Sequence, residues 1–209
     1  MKKIRNLLCA IVAALAMSGV SQDNVETEGE EVTDEPKENP KVLFDTTHGT
    51  IMMELFEKDA PITVKHFLAL VDDGHYDGII FHRAHRNFVI QAGSFDQDMN
   101  SRDIPDTIKN EASNGLSNVK GSVAMARGDH PDSAAADFFI NTKDNRFLDY
   151  SKSKSEDGYA VFGKVTRGMD VVHAIEKLKV KTEEVGGVKL ENVPVEKVVI
   201  ISAQRYRDK

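Results

Sequence analysis

Phe81–Phe95 reads FHRAHRNFVIQAGSF, and it is the densest chemistry in the chain. Ile79–Arg83 and Val89–Ala92 are short strand-like runs, and Asn87 between them is a residue that tolerates the positive φ of a tight turn. Strand alternation sets His82 and Arg83 on opposite faces, an unusual amount of polarity for a strand. On position alone, Arg83 reads as a surface arginine and Gln91 as a satisfied core amide, because exposed arginine is the common case. A functional reading of both stays open at this level.

Outward from that stretch the texture repeats. Val42-Leu43-Phe44 and Ile51–Phe56 flank the hairpin-like pair His48-Gly49, and further short strands are expected at Ser122–Ala126, Phe138–Asn141, Val161–Val165 and Val198–Ala203. Asp59-Ala60-Pro61 opens a helix whose apolar positions are Val64, Phe67, Leu68 and Val71, ending near Gly74. A second helix follows Gly168-Met169-Asp170, with Val171, Val172, Ile175 and Leu178 on one side. Many short strands with two separated helices, and no βα alternation, predict a β-barrel or sandwich with helical caps. Phe138, Phe139, Phe147 and Phe162 read first as core aromatics.

The ends of the chain differ from this middle. Lys2, Lys3 and Arg5 precede the uncharged apolar run Leu7–Ala16, with small residues after it, so residues 1–21 read as a cleaved export signal. That run is shorter than the roughly 20 residues of a membrane span. Residues 22–40 hold eight acidic residues against one lysine and read as a disordered tether. The domain is therefore expected over residues 41–209, exported to the periplasm or secreted, with membrane contact only during export. Of the net charge of −7, residues 1–21 carry +3 and residues 22–40 carry −7, which leaves −3 for the domain. A nearly neutral domain with one short basic cluster excludes a nucleic-acid binder that relies on a basic field. The single cysteine, Cys9, lies in the export segment, so no disulfide framework is expected. His82 and His85 point to opposite strand faces and lack a third ligand at suitable spacing, so no metal is expected.

Five blocks, in order, resemble the cyclophilin family of peptidyl-prolyl cis/trans isomerases, and most closely its exported bacterial members. They are FHR…F..Q.G.F at Phe81–Phe95, IKNEASNGLSNVKGSVAMAR at Ile108–Arg127, FFIN at Phe138–Asn141, FLD at Phe147–Asp149 and GYAVFGKVTRGMDVV at Gly158–Val172. The resemblance implies a mainly β fold, an eight-stranded antiparallel β-barrel closed by two α-helices, with its groove on the outer surface. It implies that Arg83 is the catalytic arginine and that Phe88, Phe139, Leu148 and Tyr159 wall a proline pocket. It further implies that Gln91 hydrogen-bonds the substrate backbone and that Val89, Ala126 and Arg127 line the groove. Proline-containing polypeptides would be the substrates, and bond rotation needs no cofactor. Asp137 stands where the family usually carries glutamine, and its carboxylate is expected to reach Arg83 or Arg127. Phe147 stands where cyclosporin-sensitive members carry tryptophan. The alternative reading is a proline-segment-binding chaperone with a slow or inactive site.

Overall fold

The computed structural model describes residues 38–102 and 106–207, so the expected export signal and nearly all of the expected tether lie outside the described residues. β1 (Lys41–Thr46) and β2 (Gly49–Leu55) form the first hairpin. Val42, Phe44 and Thr46 turn inward with the period of two that a strand imposes. The Thr46 hydroxyl ties the turn by donating to the Gly49 carbonyl at 2.6 Å.

α1 (Pro61–Asp72) starts on proline, whose fixed φ suits the first helical turn. Ala60 before it has no side-chain acceptor for the unpaired N–H groups at this end. Glu111 supplies one from elsewhere in the chain, accepting from the Ile62 and Thr63 N–H groups at 3.1 and 2.8 Å. Thr63, Val64, Phe67, Leu68 and Val71 form the buried stripe of this helix.

The remaining barrel strands are β3 (Ile79–His85), β4 (Val89–Asp96), β5 (Ser122–Met125), β6 (Phe138–Asn141), β7 (Val161–Arg167) and, last in the chain, β10 (Ile200–Tyr206). α2 (Met169–Ile175) lies between β7 and the two strands that precede β10. The sheet order is β10-β1-β2-β7-β5-β6-β4-β3, with every pair antiparallel. Its two edges meet where Ile80 bridges Val199 and the Phe81 N–H donates to the Val198 carbonyl at 2.9 Å, which nearly closes the barrel. The expected eight-stranded barrel with two helices is therefore present. Inside it Phe44, Phe67, Tyr76, Phe81, Phe138 and Phe162 are fully buried.

β8 (Val180–Val185) and β9 (Val188–Pro194) were not anticipated. They form a separate two-stranded ribbon turning on Gly186 and Gly187, both at positive φ, as a tight hairpin requires. The Gly-Gly pair was a legible signal. The charges of Lys181, Glu183, Glu184, Lys189 and Glu191 masked it, because a ribbon on the barrel's outside needs little apolar alternation.

Asp149, buried in the turn after β6, ties two loops together. Its carboxylate accepts from the Asn118 N–H at 2.7 Å, the Ser117 hydroxyl and the Asn118 amide. Burial alone would raise its pKa, but these donors and Lys152 outweigh it and hold the carboxyl below its ordinary value. A depressed folded-state pKa stabilises the fold above the unfolded value of about 3.9, and that contribution is lost as pH falls through the lower folded value. We expect Asp149→Asn to be destabilised at pH 7 by about 1–3 kcal/mol, with the gap to wild type closing in acid. Urea unfolding at pH 7 and pH 3 measures it; an equal gap at both values would refute the assignment.

Candidate active site

Strand register builds the site. Arg83 on β3 pairs with Gln91 on β4, Gln91 with Phe139 on β6, and Phe139 with Ala124 on β5. These four residues form one row across four adjacent strands. Alternation along each strand sends their neighbours the other way: Ile90, Ala92, Val123, Phe138 and Ile140 fill the barrel. Phe138 and Phe139 thus divide their work, one in the core and one on the outer face.

On that face Arg83, Phe88, Val89, Gln91, Ala126, Arg127, Phe139, Leu148 and Tyr159 enclose a cavity of about 310 Å³. All nine were expected from the sequence. Beneath it Val89, Ala124, Phe139 and Val161 form a buried apolar cluster, against which Phe88, Leu148 and Tyr159 pack. Tyr159 meets Phe139 edge-on at 5.7 Å. Phe88 is fixed through its backbone, its carbonyl accepting from the Thr142 N–H at 3.0 Å and the Asn145 amide at 2.9 Å. The turn before it runs through Asn87 at φ 53°, as its residue type suggested.

Two cations border this cup. Arg83 is half-buried, lies 5.5 Å from the Phe88 ring centroid and donates from Nη1 to Gln91 Oε1 at 3.4 Å. Burial lowers its pKa from the ordinary arginine value, opposed by Tyr159 and by Glu191 of the ribbon. Arg127 sits 4.9 Å over the Tyr159 ring. Its guanidinium is pinned by the Gly158 carbonyl at 3.0 Å, the Gly128 carbonyl at 2.9 Å and the Ser155 hydroxyl at 2.6 Å.

Asp137 and Phe147 border adjoining cavities rather than this one. Phe147 is 56% exposed, so it is no core aromatic; it stacks on Phe88 at 5.9 Å and 15°. The expected pairing of Asp137 with Arg83 or Arg127 is corrected. Asp137 Oδ2 accepts from Gln91 Nε2 at 3.3 Å and faces His82 Nε2 at 3.9 Å, while both arginines are turned to other acceptors. His82 is buried, and burial lowers its pKa against the pull of Asp137. Glu191 and Ser155 reach the site unannounced by sequence, because their proximity depends on ribbon docking and loop return. His82, which strand alternation set opposite Arg83, is corrected: the β3–β4 register shifts between Phe81 and Arg83, and His82 borders the same corner as Arg83 and Gln91. Among the described residues no group of three or more His, Cys, Asp or Glu side chains is arranged to hold a metal, and no helix is long and apolar enough to cross a membrane.

Gly93 lets the segment before β6, Ala136-Asp137, approach this corner. Its φ is +141°, and a Cβ there would stand 2.5 Å from the Ala136 carbonyl oxygen and 2.6 Å from Asp137 Cα. Gly93→Ala is therefore expected to lose about 1–3 kcal/mol of stability through backbone strain. A denaturant midpoint equal to wild type would show that the corner yields without cost.

Comparison with known proteins agrees with this fold. Residues 41–205 match the family described as cyclophilin type peptidyl-prolyl cis-trans isomerase/CLD. A peptidyl-prolyl cis-trans isomerase of Streptomyces antibioticus is 51% identical over 164 residues, 78% of this chain and 96% of that one. Isomerase A of Dickeya dadantii is 40% identical over 200 residues, 96% of this chain and 97% of that one. A crystal structure of a cyclophilin type isomerase from Cryptosporidium parvum superposes with a TM-score of 0.68 at 23% identity, covering 82% of this chain and 99% of that one. A second structure of that protein, in the presence of the dipeptide Ala-Pro, gives a TM-score of 0.65 at 22% identity over 80% of this chain and 99% of that one.

Proposed function

The chain belongs to the cyclophilin-type peptidyl-prolyl cis-trans isomerase family, and from that premise we propose that Arg83 and the apolar cup beside it perform the rotation on proline segments of exported proteins. The observation that carries this reading is the single register row placing a fixed cation next to an aromatic-walled cavity.

The reaction makes and breaks no covalent bond. Amide resonance sets a rotational barrier of about 18–20 kcal/mol, and uncatalysed exchange takes tens to hundreds of seconds. A 10⁵-fold acceleration requires about 7 kcal/mol of binding that exists only in the twisted state. In that state the prolyl nitrogen loses conjugation, becomes pyramidal and gains a lone pair able to accept a hydrogen bond. Arg83 supplies the donor, already charged and already oriented by Gln91. Phe88, Phe139 and Leu148 hold the pyrrolidine ring, so that the flanking chain turns relative to a fixed proline. The ground-state amide offers Arg83 no such lone pair, which makes the interaction differential.

The chaperone reading takes Asp137 to disturb the arginine, but the carboxylate accepts from Gln91 instead and only faces His82 at 3.9 Å. A protease-coupled assay on a short proline peptide tests the function directly. Wild type accelerates exchange, and background rates would refute the reading. Export is supported by the pattern of residues 1–21, and fractionation followed by N-terminal sequencing tests it. The residue at position 147 bears on inhibitor binding as well. Phe147 offers a ring stacked on Phe88 but no indole N–H, so cyclosporin is expected to bind weakly. A nanomolar dissociation constant by calorimetric titration would contradict that.

A further inference from the structure

Gln91 stands between two groups of opposite hydrogen-bonding character. On one side Arg83 Nη1 lies 3.4 Å from Gln91 Oε1, and a guanidinium can only donate. On the other, Asp137 Oδ2 lies 3.3 Å from Gln91 Nε2, and an ionised carboxylate can only accept. Both neighbours select the same orientation of the amide: carbonyl toward Arg83, NH₂ toward Asp137.

We propose that Asp137 is a positioning residue that locks the Gln91 amide, so that Gln91 holds Arg83 through its oxygen and presents its second N–H, a donor, to a substrate carbonyl. This rests on the proposed function above and deepens it. A neutral amide at position 137 offers both a donor and an acceptor, which leaves only the 3.4 Å contact with Arg83 to select the Gln91 orientation. The surroundings hold Asp137 in place. It packs on the backbone of β4 at Gly93, where a Cβ would fall 2.6 Å from its Oδ1. Oδ1 itself is buried without a hydrogen-bond partner, which leaves Oδ2 to do the orienting. The charged and titratable groups facing this corner are His82 and Arg83 from β3 and His75 and Tyr76 from the turn after α1. His82 Nδ1 is also buried and unpartnered, and its Nε2 stands 3.9 Å from Asp137 Oδ2. That distance is too long for a hydrogen bond to compete with Gln91.

The test uses the whole chain and the near-isosteric variant Asp137→Asn, read in two ways. The first is kcat/KM on a short proline peptide. The second is the pair of Gln91 side-chain amide signals in a proton–nitrogen spectrum, assigned by their absence from Gln91→Glu. The expected result is a fall of about 5- to 10-fold in rate, the size of one lost orienting hydrogen bond, together with displaced Gln91 signals. Backbone signals elsewhere stay in place, which separates the effect from unfolding. An unchanged rate overturns the proposal, and so does a slower variant whose Gln91 signals coincide with wild type, since that is a field effect and not positioning. If wild type itself shows only background isomerisation, the proposed function fails; the Gln91 signals then still decide the orientation, and unmoved signals overturn it.

Discussion

Arg83→Ala lowers kcat/KM for a short proline peptide by about 10²- to 10³-fold, the loss typical of removing one donor aimed at a charge that develops only in the transition state. The magnitude follows from what the site otherwise contains. No nucleophile or base takes part in rotation about a C–N bond, so the remaining contributions are the apolar cup and the Gln91 amide. These bind the ground and twisted states nearly alike, apart from the orientation they impose. Arg83→Lys recovers only part of the loss, because an ammonium on a flexible stem lacks the planar fork that reaches Gln91 and the prolyl nitrogen together. The variant still folds and still binds peptide, because Arg83 lies on the outer face, away from the barrel core. A loss below about threefold in the alanine variant would remove Arg83 from the mechanism.

Phe138→Ala acts on the inner side of the same sheet. Phe138 is fully buried, with ring centroids of Phe67 and Tyr76 at 5.5 Å and Phe44 at 5.6 Å. Removing it leaves a void lined by rings that come from α1, β1 and the turn after α1, and these cannot all move inward. The expected cost is about 3–5 kcal/mol, the usual range for emptying a large aromatic from a packed core. Urea unfolding measures it as a lower midpoint at unchanged slope. A change below about 1 kcal/mol would mean that the barrel interior is not the close-packed cluster described here.

These two residues also mark what a sequence can reveal. Strand periodicity and turn residues located all eight barrel strands and both helices, and Asn87 adopts the positive φ its type allows. The residues alone left barrel and sandwich both open, because closure depends on Ile80 meeting Val199 across the ends of the sheet. The row Arg83, Gln91, Phe139, Ala124 was legible as motifs but not as a row. It exists because β4 pairs with β6, and β6 with β5, and strand order is not encoded locally. Asp137 shows the same limit. Its composition suggested a carboxylate reaching for an arginine, whereas Gly93 and the register bring it to Gln91. The ribbon Val180–Pro194 stayed hidden because its charged exterior carries little of the alternation that exposes a half-buried strand.

Catalysis by this site requires that the outer-face cavity bind the twisted prolyl amide selectively. Two-dimensional exchange NMR on a proline peptide, with a catalytic amount of protein, tests it most directly because cis and trans signals report rotation without a coupling enzyme. Cross-peaks between the isomers within a second are expected for wild type, and their near-disappearance for Arg83→Ala. Peptide signals that shift on binding while exchange stays at the uncatalysed tens to hundreds of seconds would contradict it, leaving a groove that binds proline and does not turn it.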